Sequence, residues 1–170
     1  MKHLFTILLA VLGVCSTALA QTYVIPNGFY HIRNAKNQAF SIDLADRNTT
    51  NGNNIRLHDN NLSSAQLWYV QNVPGGRIVI RNAGELNFVI DLEDFKAYNG
   101  NNISIYTFHG GFNQKWIPER ASRGIILRSC IDTNYVIDIA SNTPAKFTNV
   151  ECYKYTGTIT QQWIFDPAGF

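Results

Sequence analysis

All three tryptophans of the chain occupy the same place in a repeated motif: Gln66-Leu67-Trp68, Gln114-Lys115-Trp116 and Gln161-Gln162-Trp163, with Trp-to-Trp spacings of 48 and 47 residues. Spacing that even marks a tandem repeat, which constrains the fold more than any other feature of the sequence. Three further features fall into register when the copies are aligned on Trp. An Asp stands twenty-five residues before each Trp (Asp43, Asp91, Asp138), embedded in the similar stretches Phe40–Leu44, Phe88–Leu92 and Tyr135–Ile139. A flat ring stands ten residues before each Trp (His58, Tyr106, Tyr153), and an arginine ten residues before each Asp (Arg33, Arg81, Arg128).

Each copy reads as four short strands. Ile55-Arg56-Leu57-His58 and Ile103-Ser104-Ile105-Tyr106 alternate apolar and polar residues, the period of a half-buried strand. Both follow an Asn-Gly-Asn-Asn turn, at Asn51 and at Asn99, a pattern that Asn142-Thr143-Pro144 of the third copy has lost. No stretch carries a helical apolar stripe of useful length. Four strands per copy would suit a propeller blade, but propellers typically need about four to eight blades. Three units fit a closed threefold barrel better: an all-β fold whose Ile and Leu side chains share one core, with each Trp packed between units.

Residues 1–20 read as a cleaved signal peptide. Lys2 and His3 give a basic start, Leu4 to Val14 an apolar run too short to span a bilayer, and Ala18-Leu19-Ala20 a small-residue cleavage site. The expected product is a secreted single domain of residues 21–170, with repeats at about 29–73, 74–121 and 122–170. No other stretch is apolar enough for membrane insertion. Losing Lys2 lowers the formal charge from +2 to +1, and Lys and Arg are not clustered, which argues against nucleic acid as a partner. Cys130 and Cys152 remain after cleavage. Secretion permits a bridge between them. Their repeat equivalents, Ala35 and Ala83 for one and Leu57 and Ile105 for the other, suit two separate core positions. Both readings stand at this point. Glycosylation sequons begin at Asn48, Asn61 and Asn102.

With its repeated Gln-x-Trp, the Asp before it and the ring between them, the chain resembles the ricin B-type β-trefoil lectins. These are also called Gln-x-Trp lectins and overlap with a trefoil class of carbohydrate-binding modules. The resemblance covers almost all of residues 29–166 in three complete copies. It implies a β-trefoil of three four-stranded repeats in pseudo-threefold symmetry, with room for one sugar site per repeat.

The chemistry of such a site follows from the sugar. A flat ring covers its C–H face, a carboxylate accepts hydrogen bonds from neighbouring hydroxyls, and an amide both donates and accepts. In repeat two, Asp91 matches the family's hydroxyl-binding acid, Tyr106 its stacking ring, Asn113 its amide and Gln114 the motif glutamine, with Ser104 at a position that often faces the sugar. Repeat three keeps Asp138, Tyr153 and Gln161, has Glu151 at the position of Ser104, and puts Thr160 in place of the amide. Repeat one keeps Asp43 and Gln66, but His58 replaces the aromatic and Ala65 the amide. The expected order of sites is two, three, one. The tryptophans read as core, the motif glutamines as holding the loop that carries Asp, and the arginines as contacts between repeats.

The repeated carboxylates belong to different copies, so they do not form the close acid/base pair of a glycosidase. No Gly-x-Ser-x-Gly elbow or His-Glu-x-x-His motif occurs, and no cofactor or metal is expected. The expected partners are glycans or glycoconjugates. The family points to galactose or N-acetylgalactosamine. A different reading is a β-trefoil protease inhibitor acting through one surface loop, such as Asn60–Ala65 or Asp94–Tyr98. An inhibitor has no use for three copies of the same polar set, and this favours sugar binding.

Overall fold

Short runs of alternating burial, rich in Ile, Val and Leu, build the structure. The computed structural model describes residues 23–169. Residues 1–20, read above as a signal peptide, lie outside these residues. Twelve strands follow in order: β1 Gly28–Asn34, β2 Phe40–Leu44, β3 Asn53–Asp59, β4 Leu67–Val73, β5 Arg77–Asn82, β6 Phe88–Leu92, β7 Asn101–Thr107, β8 Trp116–Arg120, β9 Ile125–Ser129, β10 Tyr135–Ile139, β11 Val150–Lys154 and β12 Trp163–Pro167. Six of them close a ring, in the order β1-β12-β9-β8-β5-β4, with β4 returning to β1. Closure leaves these strands without free edges.

The other six form the antiparallel hairpins β2–β3, β6–β7 and β10–β11. Each hairpin touches the next at equivalent pairs: Asn54 with Ser104, Asn102 with Glu151, and Asn149 with Arg56. The three hairpins therefore meet in a triangle over the ring.

Each tryptophan opens or nearly opens a ring strand and is fully buried in one shared core with Ile32, Ile80 and Leu127. Its indole donates to a carbonyl of its own copy, Trp68 to Ile42, Trp116 to Ile90 and Trp163 to Ile137. Its strand pairs with the next copy, so the tryptophan locks both. Gln66, Gln114 and Gln161 end short 3-10 turns instead of starting strands. That turn lifts the glutamine side chain back under the loop it serves.

The aligned arginines bridge copies at equivalent partners in the last strand of the copy before. Arg33 pairs with Asp166, Arg81 donates to Gln71 at 2.8 Å, and Arg128 pairs with Glu119. Cys130 and Cys152 are free thiols. Cys152 lies in the core, where burial pushes its thiol up to about 12. Of the two readings, the structure has the separate positions.

The Asn-Gly-Asn-Asn turns divide their work. Asn51 Oδ1 accepts from the backbone of Thr107, and Asn99 Oδ1 from that of Lys154, in the next copy. Asn53 and Asn101 each donate to two carbonyls of the loop behind, at Ala45 and Asn48 and at Glu93 and Lys96. The last asparagines meet at the triangle. Asn54 Nδ2 donates to Asn149 Oδ1 at 2.9 Å and Asn149 Nδ2 to Asn102 Oδ1 at 3.0 Å. The third link is diverted, because Asn102 Nδ2 donates to Glu93 at 2.9 Å.

Candidate functional site

The strand-end carboxylates are set by register. Asp43 pairs with Arg56, Asp91 with Ser104 and Asp138 with Glu151, so each pair shares a sheet face. One residue beyond the end of each of these strands, two successive residues without a glycine take left-handed backbone: Asp46 and Arg47, Asp94 and Phe95, Ser141 and Asn142. Such residues cost about 1 kcal/mol apiece. The reversal folds the loop back over the aspartate, and the buttressing by Asn53 and Asn101 holds it there. One scaffold thus presents three different chemistries.

In repeat two, the scaffold frames a cavity of about 600 Å³ lined by Asp91, Glu93, Asp94, Phe95, Ser104, Tyr106, His109, Asn113 and Gly52. Asn113 Nδ2 donates to Asp91 Oδ2 at 2.9 Å. Asn113 Oδ1 and Ser104 Oγ have no protein partner, although their residues are only 2% and 1% exposed. Buried polar atoms of this kind are costly unless something arrives to bond them. Gly111 makes room for the amide, since a Cβ there would fall 2.5 Å from Asn113 Oδ1. Burial pushes the Asp91 carboxyl up to about 6, against the lowering influence of Gln114, Asn113 and His109.

Three rings surround this floor. Tyr106 is 41% exposed, and the ring of His109 lies 6.1 Å from it and 5.5 Å from Phe95. His109 Nδ1 accepts from the Gly111 amide, which puts the proton of the neutral ring on Nε2, 3.7 Å from Asp91 Oδ2. Sequence reasoning missed His109, Phe95, Glu93 and Asp94 as lining residues. The alignment carries a signal for Asp94 alone, because Asp46 stands at its equivalent.

Gln114 does not reach the cavity. It is fully buried, donating to Thr107 O and accepting from the amides of His109 and Gly110. Gln66 and Gln161 are buried alike and donate to Asp43 at 3.3 Å and Asp138 at 2.9 Å. With no exposed surface, the three glutamines hold the carboxylates and loops in place.

Repeat three frames a smaller cavity, about 270 Å³, that includes Asp138, Glu151, Tyr153, Asn142 and Thr158. Asp138 accepts from Ile139 N at 2.7 Å and from Gln161, and burial raises its carboxyl. Burial and Asp138 together raise that of Glu151. Thr160 donates to Asn142 Oδ1 at 2.9 Å, so an amide reaches this site from the left-handed turn.

Repeat one is not brought together around a cavity. Arg56 reaches across Asp43 at 3.5 Å and Asp46 at 3.0 Å, and Phe147 lies over its guanidinium at 4.7 Å. Phe147 also meets the His58 ring, 5.3 Å away. It stands where the other copies have Gly52 and Gly100, with φ 69 against 80 and 83. A cavity of about 180 Å³ nearby includes Arg47, Thr49 and Ala65 but neither Asp43 nor His58. Among the described residues, no group of three or more His, Cys, Asp or Glu side chains could hold a metal ion, and no helix is long and apolar enough to cross a membrane.

Comparison with solved structures gives the fold. A designed threefold-symmetric protein, ThreeFoil, is 21% identical over 83% of this chain and 99% of its own, with a TM-score of 0.78. The Rhizoctonia solani agglutinin is 19% identical over 86% and 99%, with a TM-score of 0.77. The C-terminal half of the earthworm R-type lectin, solved in complex with GalNAc, is 21% identical over 83% and 99%, with a TM-score of 0.66. No curated protein matches the sequence. The family model described as the ricin-type beta-trefoil lectin domain matches residues 28–163, which hold all three copies of the Gln-x-Trp frame. The chain belongs to the ricin-type β-trefoil lectin domain family, whose members bind carbohydrate.

Proposed function

We propose that the chain is a secreted, non-enzymatic lectin, a single domain of residues 21–170 built as three four-stranded repeats in pseudo-threefold symmetry. Its main glycan site is the repeat-two cavity. One observation carries this reading: Asp91, Ser104 and Asn113 form a polar floor with two unpartnered buried atoms beneath the exposed ring of Tyr106. A pyranose supplies what that floor lacks, hydroxyls that donate and accept, together with a C–H face for the ring. Repeat three is a second, narrower site. Asp43 and His58 of repeat one serve the fold.

Ser104 Oγ is hydrogen-bonded to neither Asp91 nor His109 of the same cavity, which supports a binding role over nucleophilic catalysis. Family membership and the GalNAc complex of the earthworm relative support sugars of the galactose and N-acetylgalactosamine type. Two shallow sites per chain act through avidity on multivalent surfaces. The test is a glycan array with residues 21–170 beside Asp91→Ala and Tyr106→Ala. Binding of one glycan class, lost in both folded variants, supports the reading. Equal binding by the variants, or none by the wild type, overturns it; protease-inhibition assays would then follow.

A further inference from the structure

Repeat one shows how this scaffold seats a cation. The guanidinium of Arg56 sits against the strand-end Asp43 and the turn Asp46, under the ring of Phe147. Repeat two keeps both acids in register, as Asp91 and Asp94, and adds Glu93 at the rim. It keeps rings, as Phe95 and Tyr106. It differs in the cation, because Ser104 holds the register position of Arg56. No Lys or Arg is among the residues that line the cavity. Lys115 of the adjoining loop gives its ammonium to Gly110 O at 2.6 Å.

Resting on the glycan-binding reading above, we propose that the repeat-two cavity takes sugars that carry a free amine, a 2-amino-2-deoxyhexose in place of its N-acetyl form. The ammonium occupies the place that Arg56 takes in repeat one, between Asp91 and Asp94 and against the aromatic rings. The sugar hydroxyls meet Ser104 Oγ and Asn113 Oδ1, two buried atoms of this cavity's lining residues that no protein group bonds. Carboxylates and ring faces both attract an ammonium in a partly desolvated site. Acetylation removes the charge and with it both attractions. Burial raises the Asp91 carboxyl, and an ammonium placed against it would draw it back down, as His109 does in part. The same three acids repel sialylated, sulfated and uronate glycans.

The test is calorimetric titration with methyl glycosides of galactosamine and N-acetylgalactosamine at neutral pH, on wild type, Asp94→Asn and Ser104→Arg. Wild type is expected to bind the amine about tenfold tighter at low salt, the gap closing as ionic strength rises to about 0.5 M. Asp94 is exposed, so Asp94→Asn folds, and its ratio between the two sugars is expected to shrink to within about threefold. Ser104→Arg, if folded by circular dichroism, loses the amine ligand by supplying its own cation. N-acetylgalactosamine bound as well as galactosamine, or an unchanged ratio in Asp94→Asn, overturns the amine inference and leaves the lectin reading standing. Binding of neither sugar, nor of any glycan on the array, overturns both.

Discussion

Arg56 lies across Asp43, Nε to Oδ1 3.5 Å, in the register position that Ser104 holds beside Asp91. The same carboxylate is neutralised from within in one copy and left facing a cavity in another. Asp43→Asn is therefore expected to leave glycan affinity unchanged and to cost about 1–2 kcal/mol of stability. The cost stays moderate because Asp46 still pairs with Arg56. Chemical denaturation beside a sugar titration checks both halves, and a large loss of affinity would return repeat one to the list of sites.

Asp91→Asn should do the opposite. Burial raises the Asp91 carboxyl to about 6, so the folded state holds that proton more tightly than the unfolded chain does. Its contribution to stability is fully present below the ordinary carboxylate range and is lost as pH rises through about 6. At neutral pH the charged carboxylate then costs on the order of 2–3 kcal/mol, which the amide avoids. The variant is expected to melt higher than wild type at neutral pH while losing its sugar. Thermal melts from pH 4 to pH 8 should show the two curves converging on the acid side.

Sugar binding by the wild type carries the same titration with the reverse sense. The charged form is the better acceptor of hydroxyl protons, so affinity falls as pH drops below about 6. Titrations at several pH values check this, and an acid-insensitive affinity would remove Asp91 from the ligand contact.

Gly52 stands at the wall of the repeat-two cavity, where a Cβ would meet nothing within 4 Å. Phe147 shows that the equivalent position accepts an aromatic at positive φ. Gly52→Phe is expected to cover the cavity, lower glycan affinity at least about tenfold, and cost about 1 kcal/mol of backbone strain. Unchanged affinity would show that ligand enters from another side.

The two thiols give a simpler check. Since both are free, adding reductant is expected to leave the melting temperature unchanged. Cys152→Ala, fully buried, should cost about 1–2 kcal/mol, whereas Cys130→Ala restores the residue that the other copies carry and should cost well under about 1 kcal/mol. A melting temperature lowered by reductant would show a bridge in solution.

Twelve strands, the buried tryptophans and the role of the glutamines as loop holders were legible because each repeats in register, and repetition separates a rule from an accident. Asp91 and the ring of Tyr106 came to light in the same way, whereas Ser104 and Asn113, which differ in the other two copies, were read from the family resemblance. Phe95 did not, since two left-handed residues without a glycine leave no local mark, and only that turn carries its ring to the cavity. His109 was hidden because its equivalents, Asn61 and Thr156, are not rings. The closure of repeat one by Phe147 depends on a neighbour ninety-one residues from Arg56 in the chain. The residue opposite Asp43 was there to be read, as the alignment that set Glu151 level with Ser104 sets Arg56 level with both.

The asparagines at the meeting of the hairpins bear on how such a molecule can change over time. Asn54, Asn102 and Asn149 each lean on another copy, so a chain that lost one repeat would strand polar groups at its centre. The triplet must be inherited whole. The outward faces carry no such obligation, and the three aspartates already stand opposite an arginine, a serine and a glutamate. Ancestry is held in common at the hub, and each copy is free to take up its own trade at the rim.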